Sequence, residues 1–142
     1  MLIYPSYSSL YSTVPLALLL GVVVGCGQDR PPTVPVVGTV TLDGEPPPAS
    51  GVIFFAPLEA AAGMPIRPAT APFEKNGSYT VESFERGDGL VPGTYKVAVH
   101  CWEVPPNMDG RPVKSFIPQR YTSIDQSGLR LVVPSSESRV TW

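Results

Sequence analysis

From residue 36 onward the chain alternates apolar and polar side chains with a period of two. In "VVGTVTL", Val36, Val40 and Leu42 lie on one face and Val37, Thr39 and Thr41 on the other, which predicts a half-buried strand. Gly38 interrupts the alternation, as at a bulge or a close backbone approach. Asp43-Gly44 then predicts a tight turn, "EPPPASG" a rigid loop, and "GVIFFAP" a second strand with Val52 and Phe54 on one face. In "FEKNGSYTVESF", Asn76-Gly77 predicts a type I′ hairpin flanked by Phe73, Tyr79 and Val81. The clearest strand follows the Pro92-Gly93 turn. Tyr95, Val97, Val99 and Cys101 share its core face, with Lys96, Ala98, His100 and Trp102 opposite. "GLRLVVP" (128–134) and "SRVTW" (138–142) are expected to form a final strand pair. Residues 56–69 and 103–120 read as long Pro-rich connections, where binding commonly resides. The whole is an all-β pattern with short strands.

The N-terminal segment follows a different rule. Residues 14–24, "VPLALLLGVVV", form an eleven-residue apolar run, the length of a signal-peptide core and short for a membrane span. The run meets Cys26 through Val23, Val24 and Gly25. This arrangement resembles the lipobox of bacterial lipoproteins. The resemblance implies a thioether-linked diacylglycerol on Cys26, recognition of Val23 and Val24 by the signal peptidase, and cleavage after the small Gly25. More than one acyl chain anchors a protein stably, whereas a single chain binds only marginally. The region before the apolar run departs from the pattern, because it carries no Lys or Arg. An uncleaved transmembrane helix is the competing reading, and the Tyr, Ser and Pro crowded into residues 4–13 count against it. Residues 1–25 are thus expected to be a signal peptide with a helix, 26–35 a Pro-rich tether, and 36–142 one domain.

Composition narrows the function classes. The chain has 142 residues, with 10 basic and 12 acidic side chains, all of them beyond Gln28. No basic excess is available for nucleic acid. The 18 prolines punctuate β-branched and aromatic runs instead of forming one tract, so the chain reads as an ordered domain and not as low complexity.

The strand stretch "VVGTVTLDGEPPPASGVIFF", followed by "NGSYTV" and "LVPGTYKVAV", resembles the carboxypeptidase-regulatory-like or transthyretin-like (prealbumin-like) domains. With the lipobox and the later "FIPQRYTSIDQSGLRLVV", the chain resembles small lipoproteins of planctomycete-type bacteria. The resemblance implies a single antiparallel β-sandwich on the cell envelope, facing the periplasm or the exterior. Function does not follow from such a fold. Three chemistries of related sandwiches fail on residues. Hydrolases of purine-derived rings need more than one His and a Tyr-Arg-Gly-Ser ending, whereas this chain has one His and ends "RVTW". Intradiol dioxygenases bind iron through two Tyr and two His. Isopeptide-bonded adhesins carry a Lys in the first strand, and "VPVVGTVTL" has none.

Candidate chemistry among the remaining residues is sparse. The single histidine, His100, has no second His and no metal-spaced Cys or carboxylate pair beside it in sequence. An enzymatic or metal-binding accessory role would enlist Glu103 and Asp109 with it. No G-x-S-x-G nucleophile motif occurs. The expectation is therefore a non-catalytic module without cofactor or metal. Trp102, Gln119, Arg120 and Tyr121 are the candidates for an exposed surface toward carbohydrate or an envelope protein. The competing reading has Phe116 and Tyr121 pinning the 103–120 connection to the domain. Cys101 is expected to be a buried thiol if Cys26 is acylated, and a disulfide partner if it is not. The Arg86-Gly87-Asp88 tripeptide is read as a Gly-rich turn, with adhesion as the alternative.

Overall fold

β-Branched and aromatic residues at alternate positions, broken by Pro and Gly, yield strands and almost nothing else. A computed structural model describes residues 30–135 and 140–142. Cys26, Val23, Val24, Gly25 and the expected signal helix lie outside that range. The strands are β1 (Val36–Thr39), β2 (Gly51–Ala60), β3 (Ala69–Phe73), β4 (Ser78–Thr80), β5 (Gly93–His100), β6 (Trp102–Val104), β7 (Lys114–Ser115), β8 (Arg130–Val133) and β9 (Val140–Thr141). The described residues contain no α-helix, only a 3₁₀ turn at Gln119–Thr122. The chain is all-β.

Seven strands form one sheet in the order β8-β5-β2-β3-β4-β1-β9, while β6 and β7 pair separately. The longest ladder joins β2 to β5 in antiparallel register, from Val52↔His100 to Ala60↔Gly93, with a bulge between Pro57 and Glu59. At the β3–β4 junction pairing shrinks to Phe73↔Tyr79, followed by an isolated bridge between Thr70 and Glu82. The sheet curls there, and one core fills its concave side. Ile53, Phe55, Ala71, Phe73, Tyr95, Val97, Leu131 and Val133 come from one half; Val36, Tyr79 and Val81 come from the other. Burial of these side chains supplies most of the stabilisation, at roughly 25 cal/mol per Å² of apolar surface removed from water. Val34, placed in the tether by the sequence, already belongs to this core and bridges to Leu90.

Two local expectations are corrected. The expected pairing of residues 128–134 with 138–142 does not occur. β8 pairs with β5 from Lys96↔Arg130 to Gly93↔Val133, and β9 pairs in parallel with β1, so they occupy opposite edges of the sheet. Alternation reveals a strand but not its neighbour. The Asn76-Gly77 turn is not type I′, since only Gly77 of the two has positive φ, at 82°. Instead the Gly77 amide donates to Glu74 and the Glu74 amide to Ser78, giving a longer turn through Lys75 and Asn76. Asn76 Oδ1 braces it by accepting from the Ser78 amide and hydroxyl. The type I′ geometry sits at Asp43-Gly44, with φ of 54° and 86° and reciprocal Leu42–Glu45 hydrogen bonds.

Strand direction sorts the loops into two ends. Residues 30–34, 61–68 and 83–92 gather at one end, tied by the Val34–Leu90 bridge and the Ala60↔Gly93 pair. The 43–44 and 74–77 turns and the β6–β7 hairpin lie at the other.

Candidate functional site

The outer face of β5 is covered by the chain segment that follows β7. Ser115 Oγ donates to the Cys101 carbonyl, and the Phe116 amide does the same. The 3₁₀ turn then crosses β5. Beyond it, Lys96 Nζ meets Asp125 Oδ1 at 2.8 Å, and Ser127 Oγ donates to the Val97 carbonyl. This segment explains why Ala98, on the outer face, is buried. The Lys96 ammonium holds the Asp125 carboxyl below its ordinary range, first by hydrogen bonding and then by charge.

Beside this segment three rings stand in a row. Phe54 meets His100 edge-on at 5.2 Å, and His100 lies 5.2 Å from Trp102 at 37°. The register explains the row, because Val52 pairs with His100 and Phe54 is two residues further along β2. An apolar groove of about 350 Å³ continues from Phe54 past Ala56, Pro68, Thr70 and Ile124. Ile124 is a contributor that the sequence did not single out, and Phe54 was placed on a strand face with Val52 but not at a site. Phe54 becomes visible only once strand register is known, and Ile124 lies in a stretch without periodicity.

His100 is placed as a wedge between rings. Burial lowers its pKa from the ordinary 6.5, and the Thr122 carbonyl beside it offsets this only in part. Neither carboxylate proposed to join His100 acts on it. Glu103 pairs with Lys114 at 2.7 Å, and the Asp109 amide donates to Asn107 in an exposed turn. Among the described residues no group of three or more His, Cys, Asp or Glu side chains is arranged to hold a metal ion.

The lowered pKa has a consequence for stability. On acidification the unfolded chain takes up a proton at His100 before the folded domain does. Its contribution is therefore complete above pH 6.5 and is lost as pH falls below that value toward the lower folded one. The expected result is a thermal midpoint that falls more on mild acidification in the native protein than in a His100→Phe variant. Identical pH dependence in the two would remove His100 from the account.

The other candidates separate. Phe116 and Tyr121 are half-buried and pack against the core, whereas Gln119 and Arg120 are exposed. Arg120 lies over the Tyr121 ring, 4.4 Å from its centre, and hydrogen-bonds its hydroxyl. Trp102 is half-buried on β6 next to His100. Cys101 is fully buried, with its Sγ 3.3 Å from the Ala49 carbonyl, and has no disulfide partner among the described residues. Burial pushes its thiol pKa up, which suppresses the reactive thiolate.

The Arg86-Gly87-Asp88 tripeptide forms a turn, and Asp88 faces inward to it. Asp88 Oδ1 accepts from the Ser83 amide at 2.8 Å; Oδ2 accepts from the Phe84 and Glu85 amides at 2.9 and 3.1 Å. Both oxygens are committed to the loop, while Arg86 is exposed. A crease of about 520 Å³ with mixed lining runs from this loop along the β3–β4 junction, past Arg86, Glu82, Tyr79, Pro72 and Glu74.

Comparison with protein-family models, with curated proteins and with solved structures yields no match to this chain.

Proposed function

We propose that this chain is a lipid-anchored lipoprotein of the bacterial cell envelope, carrying a non-catalytic β-sandwich that serves as a binding or structural module. The observation that carries this reading is Val23-Val24-Gly25-Cys26 at the end of an eleven-residue apolar run. Acylated Cys26 would hold the domain at the membrane through a short Pro-rich stretch, ending where Val34 enters the core. The sandwich assignment draws support from the sheet that curls at the β3–β4 junction around one core. The non-catalytic reading draws on the pairing of Glu103 with Lys114 and on the place of Asp109 in an exposed turn braced by Asn107.

The test is the mass of the N-terminal peptide of the protein isolated from native membranes, in wild type and Cys26→Ala. The expected result is an acylated peptide beginning at Cys26, with membrane association lost in the variant. An intact, unacylated N-terminus in the wild type would sink the lipoprotein reading.

A further inference from the structure

We infer that the end of the domain formed by residues 61–68 and 83–92 rests on the lipid surface, with Ile66 dipping among the headgroups and Arg86 and Arg67 facing their phosphates. The inference depends on acylation of Cys26 as proposed above. Chain length then limits the geometry. Cys26 and Arg30 are four residues apart, a span of at most about 14 Å when fully extended. Arg30 lies against the domain, where its guanidinium meets the exposed Glu85 carboxylate. Val34, four residues on, is in the core and bridges to Leu90. So short a connection holds this end, and not the opposite one, against the membrane.

The side chains exposed there suit that neighbour. Ile66 stands between Pro65 and Arg67 with 72% of its surface exposed, an unusual position for a large aliphatic side chain. Arg67 donates from Nε and Nη2 to the Ser83 carbonyl and lies 4.0 Å over the Phe84 ring. Its charge is oriented by a carbonyl and a ring and, among the described residues, meets no carboxylate. Arg86 is exposed and likewise forms no ion pair among the described residues. Part of the acidic charge of this end is engaged. Glu85 pairs with Arg30, and Asp88 is committed to three loop amides. Among the described residues Glu59 and Glu82 are the carboxylates of this end without an ion pair; Glu82 lines the same crease as Arg86, while Glu59 sits across the end beside Gly93. An apolar side chain flanked by cations is the combination that an interface with anionic headgroups favours. The β6–β7 hairpin, with a fully exposed Met108, then points away from the membrane.

The experiment uses the full acylated chain in vesicles of phosphatidylcholine with and without phosphatidylglycerol. A fluorophore is attached at Ile66→Cys or, separately, at Met108→Cys; the buried Cys101 and acylated Cys26 do not compete for the label. Nitroxide-bearing lipids are expected to quench the probe at 66 severalfold more than the probe at 108. Arg86→Gln is expected to reduce quenching at 66 on phosphatidylglycerol vesicles while leaving vesicle flotation unchanged. Equal quenching at both positions with flotation retained would overturn the orientation and spare the lipid anchor. Loss of flotation together with an unacylated N-terminal peptide would overturn both.

Discussion

Phe55→Ala is expected to destabilise the domain by about 3–5 kcal/mol, a large part of the stability of a domain this size. Phe55 is 1% exposed at the middle of the β2–β5 ladder, paired with Val97. Its ring also reaches Trp142 across the interior, 6.4 Å between centres. Truncation removes apolar burial and leaves a cavity bounded by two halves of a curled sheet, which cannot close without breaking ladder hydrogen bonds. Phe54, one residue earlier, points outward and is 38% exposed. Phe54→Ala should therefore cost clearly less. Urea unfolding of both variants checks this, and equal losses would mean that the inner face of β2 is wrongly assigned.

Gly38→Ala is the second large effect, expected at about 3 kcal/mol because overpacking against backbone cannot relax by rotamer change. A Cβ at Gly38 would stand 1.8 Å from the Trp142 carbonyl and 2.4 Å from the Tyr79 hydroxyl. These two atoms hydrogen-bond each other at 2.8 Å, and burial pushes the Tyr79 pKa up to about 12. The added methyl therefore enters the clasp that fastens residues 140–142 to β1 and β4. In a double-mutant cycle with Tyr79→Phe the two costs should fail to add, since both act on that clasp. Strict additivity would place the damage elsewhere.

Gly38 also shows what the sequence makes legible. A glycine that breaks a strand alternation announces a close approach, though not of what. The β-content, the core face of β5 with Tyr95, Val97 and Cys101, and the Asp43-Gly44 turn are all local consequences of residue type and spacing. The partners of β8 and β9 were not legible, because alternation constrains a strand's faces and leaves its neighbours free. Asn76-Gly77 misled on turn type for a tertiary reason. Val40 donates its amide to the Gly77 carbonyl, and Gly77 is packed so closely that an added Cβ would stand 2.1 Å from the Val40 carbonyl. Around His100 the residue itself was conspicuous, but its neighbours Phe54 and Thr122 come from distant parts of the chain. The segment covering β5 is held by single contacts such as Lys96–Asp125, which leave no period to read.

The parallel pairing of β1 with β9 bears on the order in which the domain can be assembled. Val36 lies beside Val140, so one edge of β1 stays open until almost the whole chain is present. Synthesis delivers residues in sequence, and β1 can pair with β4 long before β9 exists. Contacts of such long separation close slowly, because loop entropy is lost before they form. A chain awaiting β9 displays an unpaired β edge, which invites wrong pairing with other chains. Rapid completion of the chain, or a chaperone that covers β1 meanwhile, is what this topology asks of the cell that makes it.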